Sequence, residues 1–234
     1  MTPPAVRKAL VVGAALAVGA TGSVGLGPRP AGAQQVRLNA AKQVATAAIT
    51  RRVLALRELT TAAKTIVRLS DADRSALTGQ LQDQVNGLTS LNAKIQGDAD
   101  EATVRADAGT IITDYRVYVL TIPKARGVVV SDIELTAEDR LSKLADRLQT
   151  MIDQASGKDT TKARADLASL RAKLTSVTGT VSPLPGALLA LQPSGYPGNR
   201  TALEQARASL RTGRQALGDA ATLARTVIAD LKSI

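Results

Sequence analysis

Six basic side chains in the C-terminal stretch, Arg200, Arg207, Arg211, Arg214, Arg225 and Lys232, project onto an arc of about 60° when the chain is wound at 100° per residue. Guanidinium and ammonium groups aligned in this way can hold a polyanion through its charged backbone. The strip has no aromatic side chain for base stacking, so such binding would be electrostatic and salt-sensitive. A second basic concentration lies at Arg37, Lys42, Arg51, Arg52, Arg57, Lys64 and Arg68, against the single acid Glu58. The competing account is a solvated flank whose long aliphatic stems cover an apolar seam and whose charges pair with acids on neighbouring helices.

The stretch "TDYRVYVLTIPKAR", residues 113–126, holds two of the three tyrosines, and Tyr115, Arg116, Tyr118 and Lys124 form a candidate ligand or core patch. Ala108, Ile111, Tyr115, Tyr118 and Ile122 recur every three or four positions, which predicts both tyrosines on the buried face of a helix. Pro123 interrupts that pattern. The chain either kinks there and resumes through Val129, Ile133 and Ala137, or turns back as a hairpin pairing "VYVLTI" with "GVVVS". The helical stripe upstream favours the kink.

The catalytic inventory is short. With no His and no Cys there is no Ser-His-Asp triad, cysteine nucleophile, zinc site of the common type or His-held haem. "SGKDTT" at 156–161 lacks the first glycine of a phosphate-binding loop, since Ile152 stands in its place, and Asp159 replaces the magnesium-coordinating hydroxyl. Asp98, Asp100 and Glu101, and Glu138 with Asp139, read as dipole-favoured caps at helix starts rather than as a cation site. Asn199-Arg200-Thr201 fits a glycosylation sequon, though nothing in the sequence points to a host that would use it. The expectation is a non-enzymatic protein with no cofactor and no metal.

These residues need elements to position them. Arg7 and Lys8, the apolar run Ala9–Ala20 and the small-residue pattern Ala31-Gly32-Ala33 make residues 1–33 a signal peptide, which implies a secreted, extracytoplasmic chain with no transmembrane segment after processing. The full chain of 234 residues carries a net charge of +10, and removing Arg7, Lys8 and Arg29 leaves a basic protein of +7. Without cysteine, its stability rests on burial and helix packing.

Low aromatic content with abundant Ala, Leu, Val, Arg and Gln predicts an all-α fold, an antiparallel bundle of long helices with coiled-coil-like heptad seams. Leu203, Ala206, Leu210, Gly213, Leu217, Ala220, Ala224, Val227, Leu231 and Ile234 form one seam. Others run through Leu38, Ala45, Ile49, Val53, Leu56, Ala63 and Ile66; through Leu77, Leu81, Gln84, Leu88, Leu91 and Ile95; through Leu141, Leu144, Leu148, Met151 and Ala155; and through Leu167, Leu170, Leu174 and Val177.

Punctuation divides the chain. A first helix spans about Gln35 to Leu69, Ser70 caps a second that Gly97 ends, and a third starts near Asp100. Ser156-Gly157 stops a helix, Asp159 or Thr160 caps the next, which ends near Gly179, and Asn199 caps the last. The organisation is 1–33 leader, 34–180 helical bundle, 181–199 Pro/Gly-rich linker with a short helix at Gly186 to Leu191, and 200–234 a long helix packing on the bundle.

"ITDYRVYVLTIPK" at 112–124 and "YPGNRTALEQARASLR" at 196–211 resemble a group of uncharacterised exported helical-bundle proteins of high-GC bacteria. The resemblance covers most of the chain after the leader. It implies export and helicity and adds no catalytic residue. Two kinds of partner follow from the sequence: an anionic envelope polymer, or another helical protein, including a second copy as a homo-oligomer.

Overall fold

The computed structural model describes residues 31–155 and 157–233, with Ala31 described by its backbone alone. The first thirty residues of the expected leader lie outside this range, and Ala31-Gly32-Ala33 form the first turn of α1. The described residues form α1 (Ala31–Thr65), α2 (Asp71–Gly97), α3 (Glu101–Thr113), a π-helical turn (Val117–Thr121), α4 (Ile122–Gln154), α5 (Thr161–Val181), α6 (Leu184–Leu189), a 3-10 turn (Pro193–Gly195) and α7 (Asn199–Ser233). Among them there is no strand, and the fold is an all-α bundle.

The first helix ends at Thr65, not at Leu69, for a visible reason. The Arg74 guanidinium donates to the carbonyls of Ala63, Lys64, Ile66 and Leu69 at 2.7–3.0 Å, satisfying the acceptors that a helix end leaves open. Ser70 caps α2 as the sequence predicts, its hydroxyl accepting from the Asp73 amide at 3.1 Å. Asp100 caps α3 in the same way through the Thr103 amide.

Two cores share α4. The first joins α1, α2, α3, the N-terminal half of α4, α6 and the N-terminal half of α7, and includes Leu56, Leu77, Leu81, Leu88, Val104, Leu120 and Val128. The second joins the C-terminal half of α4 with α5 and the C-terminal half of α7 through Leu148, Ile152, Leu167, Leu170, Leu174, Ala220 and Val227. Ion pairs set the directions. Arg171–Asp146 and Arg164–Asp153 run α5 antiparallel to α4, and Lys173–Asp219 and Lys162–Asp230 run α7 antiparallel to α5. It follows that α4 and α7 lie parallel.

Several expected positions move. Met151 is half exposed and Ile152 is buried in its place; Val85 rather than Gln84 is buried on α2; and Ala216 is buried while Leu217 sits at the margin. Packing against two neighbours at once widens and rotates the buried arc beyond a single stripe. Glu138 and Asp139 lie inside α4 rather than at a helix start, and Asp139 pairs with Lys143 at 2.7 Å. The short helix runs Leu184–Leu189, with Leu184 and Leu188 in the first core. Asn199 is the first residue of α7, and its amide donates to the Gln192 carbonyl.

The chain at 113–131 is neither a hairpin nor a helix kinked at Pro123. Helix α3 stops at Thr113, Arg116 takes a left-handed conformation (φ 46°, ψ 34°), and the π-helical turn feeds into α4, where Pro123 occupies the first turn. Proline is tolerated there because the first-turn amides have no partner in the helix. The break therefore falls seven residues before the proline.

Candidate functional site

The tyrosine patch does not assemble. Tyr118 is 49% exposed and Tyr115 half-buried, so the two do not share a buried face, which Val117, Leu120 and Thr121 take instead. Each member reaches a different element. Tyr115 packs on Gly87 of α2, where a Cβ would come within 2.7 Å of its hydroxyl oxygen. The Arg116 guanidinium lies 4.7 Å from the Tyr196 ring centre, and the Arg52 guanidinium from α1 lies 5.2 Å from that of Tyr118.

Lys124 is buried at 3% exposure, and its ammonium donates to Gln80 Oε1 at 2.7 Å and to the Leu191 carbonyl at 2.9 Å. Burial without an acidic partner lowers its pKa to about 8. These contacts fasten 115–124 to α1, α2 and the 191–196 segment.

The basic strip of α7 divides. Arg200 pairs with Glu204 at 2.9 Å. Arg207, Arg211 and Arg214 face α4 and, with Arg126 of α4, surround a groove of about 620 Å³ lined also by Pro123, Gly127, Val130 and Leu210 and by one acid, Glu204, whose charge is paired with Arg200. Arg225 and Lys232 lie further along α7, about 16 Å and 27 Å beyond Arg214 at the helical rise, beside the second core. Arg126, Arg207 and Arg211 have no ion-pair partner among the described residues. The groove's volume falls within the roughly 300–1,000 Å³ typical of ligand pockets.

One of the groove arginines, Arg214, belongs to a charge pair with a buried acid. The Glu134 carboxylate has 5% exposure and sits 3.3 Å from the Arg214 guanidinium, itself 69% exposed. Neither carboxylate oxygen has a well-formed hydrogen bond, and burial raises the Glu134 pKa, opposed by Arg214. Gly213 makes room for this arrangement, since a Cβ there would come within 2.5 Å of Val181 Cγ2 and 2.9 Å of Glu134 Oε2. Nearby, Asp132 Oδ2 accepts from the Ser70 amide at 2.7 Å and fastens the α1–α2 turn to α4, with its own pKa raised by burial.

The cations of α1, and Arg68 in the turn that follows it, are dispersed. Lys42 donates to the Gln96 carbonyl, Arg51 and Arg52 return to carbonyls of their own helix, and Arg37, Arg57, Lys64 and Arg68 point to solvent. Sequence reasoning missed Arg126, Glu134 and the role of Gly213, because the parallel pairing of α4 with α7 brings together residues about 80 positions apart. The signal available in the sequence was Arg126 close after Pro123, a residue type favoured in the first turn of a helix.

Among the described residues no group of three His, Cys, Asp or Glu converges to hold a metal, and no helix is long and apolar enough to cross a membrane. Comparison with protein-family models, with curated proteins and with solved structures found no match for this chain.

Proposed function

We propose that this is an exported, non-enzymatic helical protein that binds an anionic polymer of the cell envelope along the α4/α7 groove. The observation that carries this reading is the convergence of Arg126, Arg207 and Arg211, all without ion-pair partners, on one groove lined also by apolar residues. The leader pattern at 1–33 and the +7 charge that follows it support export and attraction to a polyanion. The resemblance to exported helical-bundle proteins points the same way.

The test is retention of the purified chain on isolated cell wall and on a heparin-like resin across a salt series. Binding that weakens steadily with salt is expected, and salt-indifferent retention or none contradicts the reading.

A second reading, a partner-helix or self-association module, is favoured by the exposed Val36, Val44 and Leu54 on α1. It predicts a sedimentation coefficient that rises with protein concentration. A concentration-independent monomer counts against it.

A further inference from the structure

We infer that the α4/α7 groove takes a linear aliphatic chain carrying phosphodiester groups about one helical turn apart, a deepening that rests on the anion-binding reading above. All four cations of the groove are arginines. A guanidinium presents its donors as a planar fork that matches two oxygens of one phosphate, whereas lysine offers only a point charge. Arg207 and Arg211 occupy successive turns of α7, about 6 Å apart along the axis, and Arg126 stands on the opposite wall. Two phosphates at that separation can each meet a fork on α7, and Arg126 can reach across to either.

The apolar lining limits what lies between the phosphates. Pro123, Gly127, Val130 and Leu210 offer no side-chain donor or acceptor, so a short aliphatic spacer suits them. No aromatic side chain lines the groove, which leaves nothing for a nucleobase to stack on. Arg214 is paired with the buried Glu134, which offsets its charge toward a further anion. Glu204, the one acid in the lining, is paired with Arg200, so the groove cations left without an ion-pair partner among the described residues are Arg207, Arg211 and Arg126.

The experiment is equilibrium binding of the full purified chain to four probes: poly(glycerol phosphate), inorganic phosphate, phosphatidylglycerol vesicles and poly-glutamate. Each arm is read as the difference between wild type and the triple variant Arg126→Ala, Arg207→Ala, Arg211→Ala, whose helicity is checked by circular dichroism. Poly(glycerol phosphate) should bind most tightly, with log K falling against log salt at a slope of about −2 for three contacts. Each single arginine variant should reduce that slope by about 0.7, and Arg225→Ala and Lys232→Ala should leave it unchanged.

Poly-glutamate or vesicles binding as tightly, inorganic phosphate binding equally well, or Arg225→Ala weakening binding as much as Arg207→Ala would each overturn the inference. If those arms fail while the chain still binds cell wall and heparin-like resin in a salt-dependent way, the broader reading survives and this one does not. Loss of all salt-dependent retention removes both.

Discussion

The two halves of α4 belong to the same helix and occupy different chemistry. From Ile122 to Glu134 it buries Lys124, Ser131, Asp132 and Glu134; from Ala145 to Ile152 it buries only Ala145, Leu148 and Ile152. The second half meets α5 and α7 through aliphatic side chains, and its charges stay outside, as in Arg171–Asp146 and Arg164–Asp153. The first half meets α2, α6, α7 and the α1–α2 turn through hydrogen bonds as well as packing.

Burying polar groups costs free energy unless each is matched, so they persist where they fix a particular arrangement or serve a site. The buried polar groups of α4 fix an arrangement, while its exposed face lies on the groove. The first half registers the α1–α3 layer, and it forms one wall of the arginine groove.

The comparison breaks most readily in the apolar half. Leu170 is fully buried, and Leu170→Ala should cost about 2–5 kcal/mol in urea unfolding. A loss under about 1 kcal/mol would mean that the second core is loosely packed.

Next in size is Gly213→Ala, which places a methyl against Val181 and the Glu134 carboxylate and should destabilise by about 1–3 kcal/mol. Gly218 on the same helix has open space around its Cβ position, so Gly218→Ala should instead stabilise by about 0.5–1 kcal/mol. The difference in sign between two glycines five residues apart separates the face of α7 packed on Val181 and Glu134 from its open face.

Arg214→Ala leaves Glu134 buried without its counter-charge and should cost about 1–3 kcal/mol at neutral pH. Glu134 has a raised folded pKa, so the folded state retains its proton at pH values where the unfolded chain has lost it. Stability from this group therefore falls as pH rises through that window and is recovered on acidification. The Arg214→Ala loss should shrink as pH is lowered and Glu134 takes up its proton, which urea midpoints along a pH series would show.

Lys124 has the opposite linkage. Its folded pKa of about 8 lies below the ordinary 10.5, so between those values the unfolded chain holds the extra proton and stability rises with pH. Lys124→Met should abolish that rise while leaving Gln80 Oε1 and the Leu191 carbonyl without their donor. The smallest effect belongs to the half-exposed pair Lys173–Asp219, where Lys173→Ala should change stability by less than about 1 kcal/mol, and less still in high salt.

The apolar half of the molecule was the legible half. Leu167, Leu170, Leu174 and Val177 are all buried as their spacing implies, because a helix with one aliphatic stripe has only one face to hide. Ser70 and Asp100 cap where a short polar side chain precedes a helix.

What spacing could not reveal is how stripes from separate helices align. Arg126 joins Arg207, Arg211 and Arg214 only because α5 reverses the chain between α4 and α7. The basic strip was visible as an arc on one helix, but its division into a groove-lining part and a distal part depends on what lies opposite each turn. The break at Arg116 was hidden for a related reason. The three-four spacing of Tyr115, Tyr118 and Ile122 continues through a left-handed residue and a π-helical turn that shift its phase.

Hydrogen exchange with and without an anionic wall polymer tests the central claim most directly, since it reads both halves of the bundle in one experiment. Slowed exchange is expected in 122–134 of α4 and 199–214 of α7, with α5 and 217–233 unchanged. Protection confined to 217–233 and α5, or spread evenly over every helix, would contradict it.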